Sequence, residues 1–422
     1  MLFQKLKDLT RNRERNYVFF SQVAGAFIAL ISGKVIALYV SPEDFGLYGI
    51  QFATFTFFTS LMVSPAIQFA KASNTTFIPR IGSSYYLRTV FFSVLISFVC
   101  LLLFFWWYFG NLSLSLILIL FVFFPINTAN KLLNDQLNIG GRLITFSNLG
   151  LLRALLGLLF LFLFFVLGWK FTSDVNALWL MQLVGSALGL LLFYKTYITY
   201  RQKFQVHFYT YFKRYLKFAW PLASLAIWTW ISNYFDRYAI EAYLDIEQVG
   251  IYSASYGVGS KFFLTLSPIF LILLTPKVFS KSKNEEKIVA IIKKSWLYLA
   301  LALPILVLIY FTRGLIGNIL LSTEYQEGFY LIFWIAAAFF TYTISQFFEI
   351  YFYAGGRTKI ILLINVVGAT INILLNVIII PILGIWGAAI STFFSFTIQA
   401  LMYLVLVLKI RRNVVQLSGL NK

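Results

Sequence analysis

Residues 41–48 read Ser-Pro-Glu-Asp-Phe-Gly-Leu-Tyr, and residues 245–252 read Asp-Ile-Glu-Gln-Val-Gly-Ile-Tyr. Each octet follows a long apolar run and opens another. Gly46 and Tyr48 correspond to Gly250 and Tyr252 at an offset of 204. Ser64-Pro65 corresponds to Ser267-Pro268, and Lys34 to Arg237, both at 203. Half of the 422-residue chain is 211, so the offsets describe two halves in tandem. Their expected bounds are 1–200 and 201–422, with the basic stretch at 198–214 as the link.

Working outward from the octets, apolar runs of spanning length fall at 17–40, 45–70, 85–109, 112–134, 143–168, 175–197, 215–240, 247–276, 288–310, 328–353, 360–380 and 384–408. A bilayer core needs roughly 20 apolar residues in helical form, and these runs are continuous rather than ten-residue alternating segments. Composition agrees: 60% of residues are hydrophobic, 19% aromatic and only 12% charged, about half the charge of a soluble domain. The expected fold is therefore an all-α integral membrane protein. Twelve transmembrane helices form two six-helix repeats around a central cavity. Six is even, so both repeats keep the same orientation and are parallel.

The net charge of +19 would point to nucleic acid in a soluble chain. Here the basic residues cluster between apolar runs, which makes them a topology signal instead. With the N-terminus inside, 28 of the 34 Lys and Arg fall on the cytoplasmic side, Lys131 and Arg142 among them as loop residues. Only Lys170 and Arg313 fall outside, among acids such as Glu43, Asp44, Glu324 and Glu327. Both termini are expected in the cytoplasm. The charged first sixteen residues lead into a run of full spanning length, which reads as a first span rather than a cleaved signal.

Several classes of chemistry are excluded. The single Cys100 lies in an apolar run, and the single His207 reads as a solvated loop residue, so no metal site is expected. No phosphate-cradling glycine motif is present, and no cofactor or nucleic-acid partner is expected. A membrane-embedded polysaccharide polymerase or ligase usually needs a long outer loop. The longest expected here, 311–327, carries Arg313, Glu324 and Glu327 and no His. The chain does not read as an enzyme.

The four remaining basic residues, Lys34, Arg153, Arg237 and Lys261, lie within spans. A charge there costs roughly 2.5–3.5 kcal/mol on insertion scales, so each is expected to face a cavity or a partner. Lys261 and Arg153 lie deep; Lys34 and Arg237 lie near the outer surface, within reach of water. Read as a group they form a cationic cavity for a phosphate-bearing substrate, with the Arg forks binding its oxygens. The competing reading is that they only lock helices together. The intramembrane acids Asp236 and Glu349 are the candidates for coupling to H+ or Na+. Gly250, Ala254, Gly257 and Lys261 share one helical face, and Gly25, Ala29 and Gly33 read as a close-packing face. Pro65 and Pro268 are expected to bend their helices equivalently. Asn365, Asn372 and Asn376 form a polar stripe for sugars, an ion or a neighbouring helix. Trp228 and Trp230 could stack on sugars, and Trp106 and Trp107 sit where an interfacial belt should.

The acidic-Phe-Gly-x-Tyr loop, its repeat at Glu247-Gln-Val-Gly-Ile-Tyr-Ser-Ala-Ser-Tyr256, Asp236-Arg237 and Gly355-Gly-Arg-Thr-Lys359 together resemble one family. So do Asn372-Ile-Leu-Leu-Asn376, Ile380-Pro381 and Gly384-Ile-Trp-Gly-Ala-Ala-Ile390. The family comprises the polysaccharide-transport members of the multidrug/oligosaccharidyl-lipid/polysaccharide (MOP) exporter superfamily. The resemblance covers nearly the whole chain and is greatest to O-antigen flippases. It implies a bacterial inner-membrane transporter in lipopolysaccharide biosynthesis that flips undecaprenyl-pyrophosphate-linked oligosaccharide outward. Its implied partners are the lipid-linked substrate, the bilayer and the glycan polymerase machinery. The two repeats suit alternating access, and with no nucleotide motif in the sequence an ion gradient is the expected drive. A proton- or sodium-coupled multidrug exporter is the alternative and would be expected to use an acid-dominated cavity.

Overall fold

The computed structural model describes residues 2–73, 83–193, 208–280 and 284–419. The end of the sixth expected span, the link as far as His207, and Lys422 lie outside the described residues. Among the described residues every regular element is helical and none is a strand. Ten of the helices are long and apolar enough to cross a membrane.

The helical rods are α1 (Leu2–Tyr39), α2, α3 (Ser83–Phe109), α4 (Leu114–Ile139), α5 (Leu143–Leu161), α6 (Asp174–Phe193), α7 (Phe208–Tyr243), α8 (Ile246–Ser280), α9 (Asn284–Leu320), α10 (Leu331–Ala354), α11 (Thr358–Leu383) and α12 (Ile385–Gly419). The rod α2 runs as Pro42–Phe58, a π-helical turn at Thr59–Val63, then Ser64–Ser73. A second π turn, Phe162–Val166, continues α5. Only a helix can satisfy its backbone within lipid from its own residues, which is why each apolar run becomes one.

Several rods outrun the sequence-based spans. An apolar run reports the thickness of the hydrocarbon, whereas a helix continues as long as its residues favour the hydrogen-bond ladder. Lys, Arg and Glu favour it well. α9 therefore begins at Asn284 and reaches Leu320, so Arg313 is a helical residue rather than part of a long outer loop. What remains of that loop is built around the short 3-10 turn Thr323–Gly328. Lys131 is likewise corrected: α4 runs on to Ile139, which places Lys131 inside the helix rather than in a loop.

The two prolines also differ. Pro65 follows the π turn, where Pro's missing N–H leaves the ladder room to widen. Ser97 of α3 lies beside the start of that turn, its Oγ donating to the carbonyl of Ser93 at 2.6 Å and standing 3.3 Å from that of Phe58. Pro268 sits inside an unbroken α8, where Ser267 instead bonds Gln346 of α10.

By contact the chain forms two compact units. The first comprises residues 1–39 and 50–230, the second residues 40–49 and 231–422. In the first, α1 packs on α5, and α6 packs on α4 and α5. Its centre is Trp179, which donates its indole N–H to Gln51 at 2.8 Å and lies between Phe52, Phe55 and Phe123. In the second, α10 is central and packs on α8, α9 and α12. Tyr298 stacks among Phe263, Phe270, Phe340 and Phe347. Where lipid supplies no hydrophobic drive between helices, such packing and the buried hydrogen bonds hold each unit together.

The octets explain the grouping of residues 40–49 with the second unit. A Cβ on Gly46 would lie 1.9 Å from the carbonyl oxygen of Ile246, and one on Gly250 would lie 1.8 Å from that of Pro42. The first turns of α2 and α8 thus cross with backbone against backbone, each repeat supplying the glycine that admits the other. Tyr325 closes the same corner, donating to the carbonyl of Val40 at 2.9 Å and meeting Phe45 edge-on. Burial pushes its phenol pKa up, and Glu324 and Asp44 add to the rise. Gly25 and Gly33 do not make the expected packing face: nothing lies within 4 Å of a Cβ on Gly33, and only Leu151, at 3.9 Å, approaches one on Gly25.

Candidate functional site

Asp236 and Arg237 end the apolar part of α7 as a buried pair. Arg237 is 7% exposed, so its guanidinium does not reach water as a position near a span end would allow. Its Nη1 donates to Asp236 Oδ1 at 3.1 Å and to the carbonyl of Asn233 at 2.9 Å. The rings of Tyr234, Tyr256 and Tyr252 lie 5.0, 4.8 and 5.9 Å from it. Tyr252, the tyrosine of the second octet, donates its hydroxyl to the other oxygen of Asp236. A cation among aromatic faces with one carboxylate is a satisfied arrangement.

Glu349 on α10 is held differently. Its surroundings are phenolic: Tyr353 bonds it one turn along the helix, and Tyr342 and Tyr403 of α12 lie within its field. It makes no ion pair among the described residues. Lys261 is half-buried on α8, on the face that carries Gly250 and Ala254. That face changes along its length. Gly250 is packed against backbone, whereas a Cβ on Gly257 would meet nothing within 4 Å, so open space begins one turn before Lys261.

Arg153 and Lys34 belong to the first unit, and Asp236, Arg237, Lys261 and Glu349 to the second. Arg153 is half-buried on α5, its Nη2 donating to Ser186 Oγ of α6 at 3.2 Å. The backbones are close there: a Cβ on Gly185 would stand 2.6 Å from the Arg153 carbonyl oxygen. Asn130 of α4 donates to the carbonyl of Ser186 at 2.8 Å, so three helices meet at this serine. Lys34 is half-buried on α1.

The sequence reading missed Lys131. It lies within the electrostatic field of Arg153 and of Asp135, four residues along its own helix. The signal that could have found it is the polar stripe Asn127, Asn130, Lys131, Asn134, which runs at helical spacing through the end of the span.

Two of the three residues in the polar stripe of α11 are buried. Asn372 and Asn376 are 1% and 0% exposed and bonded to each other at 3.1 Å. Gly368, one turn before Asn372, meets Gln399 and accepts from Ser395 of α12, so this face packs on a helix. Asn365 bonds its own helix at Ile361. Trp230 donates to the carbonyl of Ala53 at 2.8 Å and packs on Phe57, which ties α7 to α2. Trp106 and Trp107 are exposed, as belt residues would be.

Residues 14–282 match the protein family described as polysaccharide biosynthesis protein. Solved structures of the same fold include the lipid II flippase MurJ in an inward closed conformation, at 17% identity and a TM-score of 0.69, covering 94% of this chain and 87% of that one. A multidrug resistance MATE family transporter of the MOP superfamily, inward-facing, is 10% identical with a TM-score of 0.68, covering 93% and 96%. The Vibrio cholerae MATE transporter VcmN is 12% identical with a TM-score of 0.61, covering 95% and 96%. No curated protein sequence matches the chain.

Proposed function

Because this chain is a multi-pass membrane protein of the polysaccharide biosynthesis protein family, we propose that it flips an undecaprenyl-pyrophosphate-linked oligosaccharide of the O-antigen type from the cytoplasmic to the periplasmic leaflet of a bacterial inner membrane. Family membership over residues 14–282 carries this reading. The excess of basic over acidic residues within the spans supports an anionic cargo. The phosphates engage Arg153 and Lys261, with Lys34 as a further contact. Arg237 is the weakest of the four contacts, since Asp236 and three tyrosines already hold it. Transport proceeds by alternating access of two six-helix halves, 1–200 and 201–422, with both termini cytoplasmic and without covalent catalysis. An ion gradient drives it. Of the two acids, Glu349 is the better coupling group because Asp236 is already paired.

The similarity in fold to MATE transporters keeps a proton- or sodium-coupled drug exporter as the second reading. One assay separates the two. Proteoliposomes are loaded with a lipid-linked glycan or with a cationic dye, and movement is followed with an ion gradient and no ATP. Glycan lipid is expected to cross, and the Arg153→Gln, Lys261→Ala double variant to lose transport while accumulating normally. Dye export without glycan flipping, or normal flipping by the double variant, overturns the proposal.

A further inference from the structure

The turn at residues 140–142 joins α4 to α5 and gives the two helices a common origin of depth. Counted from the helix ends at that turn, Lys131 is eight residues into α4 and Arg153 ten residues into α5. At ~1.5 Å per residue both side chains leave their helices roughly 12–15 Å in, at nearly one level. Ser186 is seven residues from Phe193, where the described part of α6 ends, and hydrogen bonds tie it to Arg153 and to Asn130, the neighbour of Lys131. The first unit therefore carries two basic side chains on adjacent helices at one depth.

Two cations so placed repel, and the repulsion grows as the dielectric falls. Neither makes an ion pair among the described residues, and the carboxylate of Asp135, four residues along the same helix, lies within the field of Lys131. The contrast lies in the second unit, where Arg237 has a carboxylate in contact and three aromatic faces. The surroundings also hold an unmet polar group: Asn130 is fully buried, and its Oδ1 has no hydrogen-bond partner among the described residues.

We propose that Lys131 and Arg153 together form an anion subsite inside the first unit, where α4, α5 and α6 meet at Ser186, and that it takes the phosphate or pyrophosphate head of the transported lipid. This rests on the flippase reading and adds to it a residue, Lys131, and a place. The Arg153 fork supplies directional hydrogen bonds and Lys131 a mobile point charge, a combination suited to two linked phosphates. Asp135 opposes the anion and helps to release it.

The test uses the full-length protein in nanodiscs, with inorganic pyrophosphate and, separately, nanodiscs containing polyprenyl pyrophosphate or phosphatidylglycerol. Binding is read by titration calorimetry for the soluble anion and by retained lipid phosphorus after washing for the lipids. Lys131→Gln and Arg153→Gln are each expected to weaken pyrophosphate binding about tenfold, the scale of one charge-assisted hydrogen bond. Lys131→Arg is expected to restore it, Asp135→Asn to strengthen it, and Lys170→Gln, in the exposed loop before α6, to leave it unchanged. Retention of polyprenyl pyrophosphate but not phosphatidylglycerol assigns the subsite to the cargo; binding of the soluble anion alone overturns that assignment. Unaltered binding in Lys131→Gln, with loss in Arg153→Gln and Lys261→Ala, overturns the subsite and leaves the flippase reading intact. No binding of either pyrophosphate by the unaltered protein overturns both.

Discussion

At Asp236 and Arg237 the cost of burial is met by each charge having the other. Removing one partner leaves an uncompensated charge in the helix, at about 3–5 kcal/mol. Asp236→Asn and Arg237→Gln are each expected to lower the protein's accumulation and its unfolding temperature in detergent. The double variant is expected to recover much of both, because neither charge remains to be stranded. Additive losses in that cycle would show that the two act independently. Glu349 makes no ion pair among the described residues, so Glu349→Gln is expected to accumulate normally and to lose gradient-driven transport by roughly an order of magnitude while downhill exchange persists. Equal loss of both activities would remove Glu349 from coupling. These charges are legible in the sequence because a charge in an apolar run stands out. Their partners are not, since adjacent residues on a helix point about 100° apart and only packing brings Asp236, Arg237 and the tyrosines of α8 together. Lys131 is hidden for another reason: it sits where the hydrocarbon signal fades but the helix does not.

Among elements, the first turns of α2 and α8 are the tightest crossing that the repeat produces. A Cβ at Gly46 or Gly250 would fall within 2 Å of a backbone oxygen, and a backbone cannot yield as a side-chain tip does. Gly46→Ala and Gly250→Ala are each expected to destabilise the protein by at least ~1–3 kcal/mol, read as a lower midpoint in thermal unfolding. Gly33→Ala, with open space around it, is expected to change the midpoint by less than a degree or two and to serve as the comparison. Similar midpoints for all three would mean that the crossing is looser than its geometry. The repeat makes these glycines conspicuous in the sequence, but matched spacing does not say that the two copies touch each other. Spacing likewise overstates the small-residue stripe on α1, because it does not reveal whether a neighbour is present. The paired prolines show the same limit: one follows a π turn and the other lies within a continuous α-helix with a Ser267–Gln346 bond beside it.

For the whole molecule, the distribution of charge is the strongest statement that the sequence makes about orientation. The expected 28-to-2 division of basic residues does not depend on the helix ends, since extending α7, α8 and α9 only moves residues from loop to helix. Each basic residue near a cytoplasmic surface favours that side, and the bias is cumulative over short loops. A fluorescent reporter that folds only in the cytoplasm, fused after Lys422, is therefore expected to glow. An alkaline-phosphatase reporter, active only outside, is expected to be active when inserted beside Glu324 in the short turn between α9 and α10. Tyr325, Glu327 and Gly328 of the same turn bond Val40, Gln248 and Ser255, so the insertion goes on the Glu324 side and must leave those three in place. The opposite pair of results would invert the membrane. Lys131, Arg153 and Ser186, which lie near the end of the first unit that carries the α4–α5 turn, would then face the periplasm rather than the leaflet from which the cargo is loaded. Orientation thus decides whether the two-cation subsite meets its substrate at the start of the cycle or at its end, and the reporter pair measures it without reference to any transport assay.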